Sequence, residues 1–453
     1  MANSFRLTLI HPSIGRRQGQ SYVRLWQMEP LPPAVIAALT PKDVQIEFYD
    51  DRIAPIPFDR PTDLVALSIE TYTAKRAYQI ASEYRRRGIP VVMGGFHAAL
   101  CPDEVAQYAE TVVVGEAEDI WETVIADYRN GTPKKFYTAP ARPELRKSTP
   151  DRSIFRDKKY LGVQLVEASR GCSLRCEFCA IQTVYKRSQN FRPMDQILEE
   201  VKSLREKSDF FFFVDDNIVT NPGKAKEFFR ELASLKIKWV SQATISAAKD
   251  EELLQLMQQS GCQGVLIGFE SLKAENLLLM DKSVNTLGID YEDAMKKFQR
   301  YKIRIYGTFV FGYDHDVVQS FQESVEFATR HAFFLTGFNH LTPFPGTALY
   351  QRLEQEKRLI YDKWWLDDTY SYNLLPFRPT LMSAEEVHEQ CIKARRSFYS
   401  YGNIMKRLIH PVNQGFRKPF LLMNLMHHKE LGKRDRYPLG DENWKGTILQ
   451  ATR

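Results

Sequence analysis

Three cysteines, Cys172, Cys176 and Cys179, lie within eight residues of one another. Thiolates are soft ligands that suit zinc or iron–sulfur clusters. A structural zinc site takes four ligands, and a ferredoxin-type cluster takes four cysteines. No histidine lies between residues 151 and 210, and no fourth cysteine lies near the three. The spacing therefore predicts a [4Fe–4S] cluster with one iron left open, and a zinc knuckle or three unrelated thiols are the alternatives.

The segment that must position these cysteines alternates between strand-like and helix-like patterns from residue 161 to residue 347. Its strand candidates are VQLVEASRG, FFFFVDDN, KWVSQATI, GVLIGFES, IRIYGTFVFG and FLTGFNHLTPFP. Six such repeats are fewer than the eight of a closed barrel, so we predict an open, partial (β/α)6 barrel. The three cysteines directly follow its first strand, at the face where barrel sites form.

Residues 1–135 form a separate alternating series, which predicts a Rossmann-like, doubly wound parallel sheet. In such sheets ligands bind at the carboxyl ends of the strands. Those ends carry Ser68–Thr71, Gly94–His97 and Gly115-Glu116. Residues 136–160 are rich in Pro, Lys and Arg, which is typical of a linker.

Residues 348–453 change character and predict a mainly helical cap or substrate module. Its aromatic side chains either line an apolar substrate pocket or pack as core; they are Trp364, Trp365, Tyr370, Tyr372 and Phe377. The segment 417–423 is basic and then apolar, which is typical of either a membrane-surface contact or an ordinary packed helix.

The composition of the 453-residue chain is that of a globular protein, with 43% hydrophobic and 26% charged residues. No apolar stretch is long enough to predict a transmembrane segment, and the first residues lack a secretory pattern, so we expect a cytoplasmic protein. The net charge of +6 is spread along the chain and does not favour nucleic acid as a partner. We expect the three scattered cysteines, Cys101, Cys262 and Cys391, to be buried as small apolar residues.

The pattern Cys-x₃-Cys-x-Phe-Cys, after the first strand of a partial barrel, resembles the radical S-adenosylmethionine (SAM) superfamily. The resemblance implies that SAM chelates the open iron and is cleaved to methionine and a 5′-deoxyadenosyl radical. It places Phe178 against the adenine of SAM. It also implies polar SAM contacts at strand ends from Gln242, Glu270 and Ser271. Asp215 also faces the site in this interpretation, or else caps a helix.

The first domain resembles the cobalamin-binding domain that precedes the barrel in one branch of this superfamily. The residues that the resemblance assigns to cobalamin are Thr71, Thr73, Gly94, Gly95, His97, Gly115 and Glu116. No Asp-x-His-x-x-Gly signature supplies a lower cobalt ligand, and a degenerate domain that binds nothing is the alternative. Segments 307–316 and 341–350 resemble hopanoid C-methylases and the anaerobic Mg-protoporphyrin monomethyl ester cyclase.

The resemblance implies an enzyme that uses a [4Fe–4S] cluster, SAM and cobalamin to methylate an unactivated carbon. Its substrate would be a small molecule of lipid or tetrapyrrole type, possessing a hydrophobic surface, and its electron donor a protein such as flavodoxin or ferredoxin. A cobalamin-dependent oxidative cyclase or ring-rearranging enzyme shares the same motifs. An iron–sulfur electron carrier is a third class, and the missing fourth cysteine argues against it.

Overall fold

A computed structural model describes residues 4–285 and 288–451 of the chain. The strands are β1 (Arg6–His11), β2 (Gly15–Arg16), β3 (Gln45–Asp50), β4 (Leu64–Ser68), β5 (Val91–Gly94), β6 (Thr111–Val114), β7 (Phe136–Thr138), β8 (Gln164–Val166), β9 (Ser169–Arg170), β10 (Asn190–Phe191), β11 (Phe210–Phe213), β12 (Lys238–Ala243), β13 (Cys262–Glu270), β14 (Arg304–Phe311), β15 (Leu335–His340), β16 (Ser371–Tyr372), β17 (Tyr437–Pro438) and β18 (Gly440–Asp441). The helices are α1 (Leu31–Leu39), α2 (Ala74–Arg85), α3 (Phe96–Leu100), α4 (Pro102–Val105), α5 (Trp121–Arg129), α6 (Ala180–Tyr185), α7 (Met194–Arg205), α8 (Pro222–Ala233), α9 (Glu251–Gln259), α10 (Ala274–Leu279), α11 (Tyr291–Arg300), α12 (Val318–Arg330), α13 (Ala348–Gln355), α14 (Ala384–Phe398), α15 (Tyr401–Leu408) and α16 (Arg417–Arg434).

The chain divides into two compact units. The first unit holds the residues up to Gly162, together with Lys363–Tyr372 and the segment from Arg436 onward. The second unit holds Val163–Asp362 and Asn373–Asp435.

The first unit is built on a six-stranded parallel sheet with the strand order β3-β1-β4-β5-β6-β7. Strand order reverses between β1 and β4, and ligands of such sheets bind at that switch point, beyond the carboxyl ends of the strands. The doubly wound sheet predicted from the sequence is therefore present. Residues 136–160, predicted as a linker, instead contribute β7 to the sheet edge, because Tyr137 is buried and its hydroxyl donates to Asp127.

The second unit is built on a six-stranded parallel sheet with the order β15-β14-β13-β12-β11-β8. Each strand pairs with its neighbour in parallel register. Among the described residues β8 and β15 form the two edges, so the barrel is open, as predicted.

Buried and half-buried side chains alternate along the strands of this sheet. In β14, Ile305, Phe309 and Phe311 are buried, whereas Tyr306 and Thr308 between them are half-buried. Side chains of a strand point alternately to opposite faces. One face therefore packs against helices such as α11 and α12, and the other face is less buried.

The C-terminal third contributes to both units rather than forming one module. Helices α13 to α16 belong to the second unit, whereas β16, β17 and β18 belong to the first. Trp364 and Trp365 are buried in the first unit, and the Trp364 ring lies 5.0 Å from that of Tyr72. The aromatic segment thus packs as core, because rings of this size gain most by burial. None of the described helices has the length and hydropathy needed to cross a membrane.

Candidate active site

The three cysteines lie in the segment 171–179, called here the cysteine loop, which follows β8 and the short strand β9. Cys176 is buried, and Cys172 and Cys179 are half-buried. Strand β9 pairs with β10 in antiparallel register, so the start of the loop is held by a small ribbon beside the main sheet. The loop lies at the carboxyl edge of the sheet, where the sequence predicts it.

Two consecutive carboxylates after β11 hold the start of the cysteine loop. Asp215 accepts hydrogen bonds from the Ala168 amide, at 3.1 Å, and from the Ser169 hydroxyl. Asp216 accepts from the Gly171 amide at 2.7 Å. Burial raises the pKa of Asp215 to about 7. Both Asp215 oxygens therefore hold the backbone that leads into the loop, and a direct SAM contact by this residue stays a prediction.

A charge network holds the opposite side of the cysteine loop. Glu177 lies 2.9 Å from Arg352 of α13, and Arg352 lies 3.0 Å from Asp314. The backbone of Glu177 also donates to the Met280 carbonyl and accepts from the Leu349 amide, both at 3.0 Å. The loop is thus held by α13 and by Met280, which follows α10. Sequence reasoning missed this network because Glu177 and Arg352 are 175 positions apart.

Polar side chains surround one of the three cysteine thiols. The thiolates of a cubane cluster each bind a different iron. Cys172 Sγ lies 3.8 Å from Thr220 Oγ1 and 4.0 Å from Asn217 Nδ2, and such contacts to sulfur tune a cluster.

Burial changes the acidity of the cysteine thiols. It raises the pKa of Cys176 to about 12 and also raises that of Cys179. Because metal ligation requires the thiolate, binding of iron must release protons from these groups.

A buried ion pair lies beside the cysteine loop at the end of β13. Glu270, with a positive φ of 63°, contacts the ammonium group of Lys282. The Lys282 ammonium lies 5.9 Å from the centre of the Phe178 ring. Burial lowers the pKa of Lys282, but the Glu270 carboxylate more than compensates and holds it above its usual value. The predicted residues Glu270 and Phe178 are thus brought to one place, with Lys282 as a member that the sequence did not signal.

The other two predicted SAM contacts have local partners. The Gln242 amide donates to the Asp215 carbonyl at 3.1 Å, which ties the ends of β12 and β11 together. The Ser271 hydroxyl accepts from the Lys273 amide at 3.1 Å and stabilises the turn after β13. Gln242 remains half-buried at the strand end, whereas Ser271 is buried, and SAM binding by either stays a prediction.

At the carboxyl edge of the first sheet, the predicted cobalamin residue His97 is completely buried. One ring nitrogen lies 3.2 Å from the Thr71 hydroxyl, and the other lies 3.1 Å from Glu104. Glu104 also accepts from Trp365 at 2.9 Å. Although burial raises the pKa of Glu104, the hydrogen bonds from His97 and Trp365 lower it to about 2. Both His97 nitrogens are therefore used inside the unit.

The remaining predicted residues of this edge are mostly engaged as well. The Thr73 hydroxyl accepts from the Glu70 amide at 2.9 Å, and Glu116 pairs with Arg142 at 2.7 Å. Gly95 packs so closely that an added Cβ would lie 2.8 Å from the Ile69 carbonyl oxygen. Gly94 ends β5. Gly115 differs, because it has a φ of 88° and no heavy atom within 4 Å of an added Cβ, so its backbone is open to a large ring system.

His11 is a residue of this edge that sequence reasoning missed. It ends β1, at the switch point of the sheet, and its Nδ1 is buried without a hydrogen-bond partner. Burial, together with Arg52, lowers its pKa to about 3, so the imidazole is neutral at ordinary pH. A buried, unpaired ring nitrogen at a switch point is a mark of ligand binding, and its position after a strand was the available signal.

Comparison with known proteins places this geometry in a family. Residues 166–328 match the radical SAM superfamily, and residues 347–421 match a domain of unknown function, DUF4070. The chain is 33% identical over 390 residues to bacteriochlorophyllide d C-12(1)-methyltransferase of Chlorobaculum tepidum, which covers 84% of both proteins. The chain belongs to the radical SAM superfamily. Within it, hopanoid C-2 methylase of Rhodopseudomonas palustris is 26% identical, over 74% of this chain and 66% of its own length.

Solved structures confirm the fold of this radical SAM enzyme. The cobalamin-dependent enzyme OxsB, with aqua-cobalamin and SAM bound, aligns with a TM-score of 0.65 at 13% identity over 95% of this chain and 72% of its own. The methyltransferase TsrM from Kitasatospora setae aligns with a TM-score of 0.63 at 19% identity, over 85% and 83%. The predicted family, its open barrel and its enzymatic nature are confirmed. The cluster and SAM are the cofactors of this superfamily, and the cysteine loop has the donors that such a cluster requires.

Proposed function

We propose that this protein is a cobalamin-dependent radical SAM methyltransferase that methylates an unactivated carbon of a hydrophobic, tetrapyrrole-like small molecule. The observation that carries the proposal is the clamped three-cysteine loop at the open edge of a six-stranded sheet, in a chain that also holds a doubly wound unit. The substrate class is supported by the similarity to the bacteriochlorophyllide methyltransferase of Chlorobaculum tepidum.

When bound, the cluster and SAM supply a 5′-deoxyadenosyl radical, and cobalamin supplies the methyl group. The protein's own task is to place these groups and to exclude water. Cys172, Cys176 and Cys179 hold the cluster, and the Glu177–Arg352 pair keeps their loop in position. Phe178 and Glu270 contact SAM beside the buried ammonium of Lys282.

Cobalamin is proposed to lie at the carboxyl edge of the first sheet. Gly115 leaves its backbone open to the corrin ring, and His11 offers an unpaired imidazole nitrogen at the switch point. Thr71 and His97 shape this edge through the hydrogen bond between them, and Thr73 does so by accepting from the Glu70 amide.

An oxidative cyclisation without methyl transfer is the second candidate. The anaerobic magnesium-protoporphyrin IX monomethyl ester cyclase of Cereibacter sphaeroides is 24% identical over 85% of this chain. Methylation is preferred because the methyltransferase relative is 33% identical over a similar share. In either case the bound cluster would need a one-electron donor such as flavodoxin or ferredoxin. The six cysteines, all within the described residues, form no disulfide, which favours a reducing compartment such as the cytoplasm.

The test is a reaction under anaerobic conditions with reconstituted enzyme, cobalamin, a reductant, methyl-labelled SAM and a bacteriochlorophyllide. The expected product has gained the mass of one methylene unit and carries the label. Formation of 5′-deoxyadenosine with an unlabelled, dehydrogenated product would instead establish the cyclase class. Cobalt that does not bind after reconstitution would exclude both.

A further inference from the structure

Helices α15 and α16 present an exposed apolar surface surrounded by lysines. We call it the lysine–leucine face. Its apolar members are Tyr401, Met405, Ile409, Leu421, Leu422 and Leu425, and its basic members are Lys406, Lys418, Lys429 and Lys433. Ile409 is 65% exposed and Leu422 is 62% exposed. Contiguous exposed side chains of this size mark interaction sites in soluble proteins.

The periodicity of α16 explains why the face is exposed. Lys418, Leu422, Leu425 and Lys429 recur at spacings of three and four residues, and so lie on one side of the helix. The opposite side is buried, with Phe420 fully enclosed in the core. A helix that is apolar on two sides is normally covered on both.

The buried sides of both helices are fixed by hydrogen bonds, so the exposed side cannot rotate inward. Arg407 of α15 donates to the Phe333 and Phe398 carbonyls, both at 2.9 Å. Asn424 of α16 donates to the Phe334 carbonyl at 3.0 Å. These bonds anchor both helices to the strand β15 region of the same unit.

The exposed sides of the two helices meet in a continuous surface. The Tyr401 ring of α15 lies 4.7 Å from the His428 ring of α16, and Tyr401 itself is 64% exposed. The apolar residues of α15 thus continue those of α16.

The exposed charged residues of this region are all basic. Residues 401–433 contain six lysines and arginines and a single acidic residue, Glu430, which is buried. Paired copies of the face would bring lysine against lysine, which disfavours self-association through it. Leucines between lysines, with no exposed acid, instead match an anionic lipid surface, where ammonium groups contact headgroups and leucines enter the acyl boundary.

We propose that the lysine–leucine face binds the surface of a bilayer that contains anionic lipids, with α15 and α16 lying parallel to the membrane plane. The proposal concerns where the enzyme works and is independent of its reaction. It gives the basic–apolar segment 417–423 a role, at the end of the DUF4070 match over residues 347–421 and just beyond it.

Flotation of the reconstituted full-length enzyme with vesicles tests the proposal. Vesicles of equal parts phosphatidylcholine and phosphatidylglycerol should bind the protein, and vesicles of phosphatidylcholine alone should bind it much more weakly. The double variant L422S/L425S should lose at least about tenfold in binding, because each leucine enters the acyl region. The triple variant K418Q/K429Q/K433Q should lose about fivefold per lysine and much of the salt sensitivity.

Matched controls are L381S and K202Q/K207Q/K296Q, which alter exposed residues elsewhere in the second unit. They should bind as the unaltered protein does. Circular dichroism and thermal midpoints verify folding, and the lysine variant remains informative if the leucine variant does not fold. Three results would overturn the proposal. The protein could bind both vesicle types equally, or it could bind neither. The leucine variant could also change the oligomeric state, measured by light scattering, and leave vesicle binding unaltered.

Discussion

The carboxyl edges of the two parallel sheets differ in what their side chains are bonded to. In the second unit, Asp216 and Arg352 bond to the cysteine loop and leave the thiols for iron. In the first unit, Thr71, His97 and Glu104 bond to one another. A cluster site therefore depends on a few side chains with defined ligand chemistry, whereas a site for a large macrocycle depends on shape, open backbone and a small number of unpaired atoms.

The largest expected effect is at the cluster. C176A should abolish formation of 5′-deoxyadenosine from SAM, because a cubane with only two protein ligands is not retained. Iron analysis and product chromatography measure both results. The matched control C391A, a buried cysteine outside the loop, should retain iron and cleavage activity. Full SAM cleavage by C176A would show that the cysteine loop does not hold the cluster.

The second expected effect tests the ion pair between Glu177 and Arg352, which holds the cysteine loop. R352Q leaves Glu177 and Asp314 without the cation that they share. Substitution of residues that orient metal ligands typically lowers metal affinity or activity by about 10–100-fold. We expect slower reconstitution with iron, a changed electron paramagnetic resonance spectrum and a raised KM for SAM. R330Q removes an exposed arginine of α12 and serves as the control. An unchanged spectrum and iron content in R352Q would assign Arg352 a role in packing alone.

The third expected effect concerns the internal network of the first unit. The folded-state pKa of Glu104 is about 2, below its usual value, so its ionised form stabilises the fold at neutral pH. This contribution, about 3 kcal/mol, is complete above the usual pKa of a glutamate and is lost as pH falls toward 2. Tryptophan fluorescence during urea unfolding should show the loss in the unaltered chain.

The variant E104Q should remove most of that acid dependence, and E122Q, which alters an exposed carboxylate of α5, should leave it intact. If E104Q and the unaltered chain keep the same slope of stability against pH, the Glu104 network is not a source of acid sensitivity.

The smallest expected effects distinguish an unpaired polar group from a hydrogen-bonded one at the carboxyl edge of the first sheet. H11A should weaken cobalamin binding about tenfold, because it removes an unpaired nitrogen at the switch point. T71V should leave cobalamin affinity nearly unchanged and cost about 1 kcal/mol of stability, because its hydroxyl is bonded to His97. Absorbance titration measures the affinities. A larger loss in T71V than in H11A would reverse the assignment.

The sequence predicts the two sheets and the cysteine loop well, because strand periodicity and ligand spacing are local properties. The same holds for Glu270 and Phe178, which end or follow predicted elements. The sequence predicts poorly the contacts between segments that are far apart in the chain. The local sequence does not distinguish Lys282 and Arg352 from other basic residues, because only the fold places them beside the loop.

Residue type also does not reveal which polar groups have hydrogen-bond partners inside the unit. His97 and Thr71 have the chemistry of cofactor contacts, but the burial that pairs them with each other is invisible in the chain. Likewise the aromatic segment around Trp364 packs into the first unit, although its position follows the barrel.

We propose that the three-cysteine loop holds a cluster whose fourth iron binds SAM. Electron paramagnetic resonance of the reduced, reconstituted enzyme, with and without SAM labelled with ¹⁷O in its carboxylate, tests it most directly. Addition of SAM should shift the cluster spectrum, with hyperfine broadening from the label. A fully loaded, reduced cluster whose spectrum does not change with SAM would contradict it.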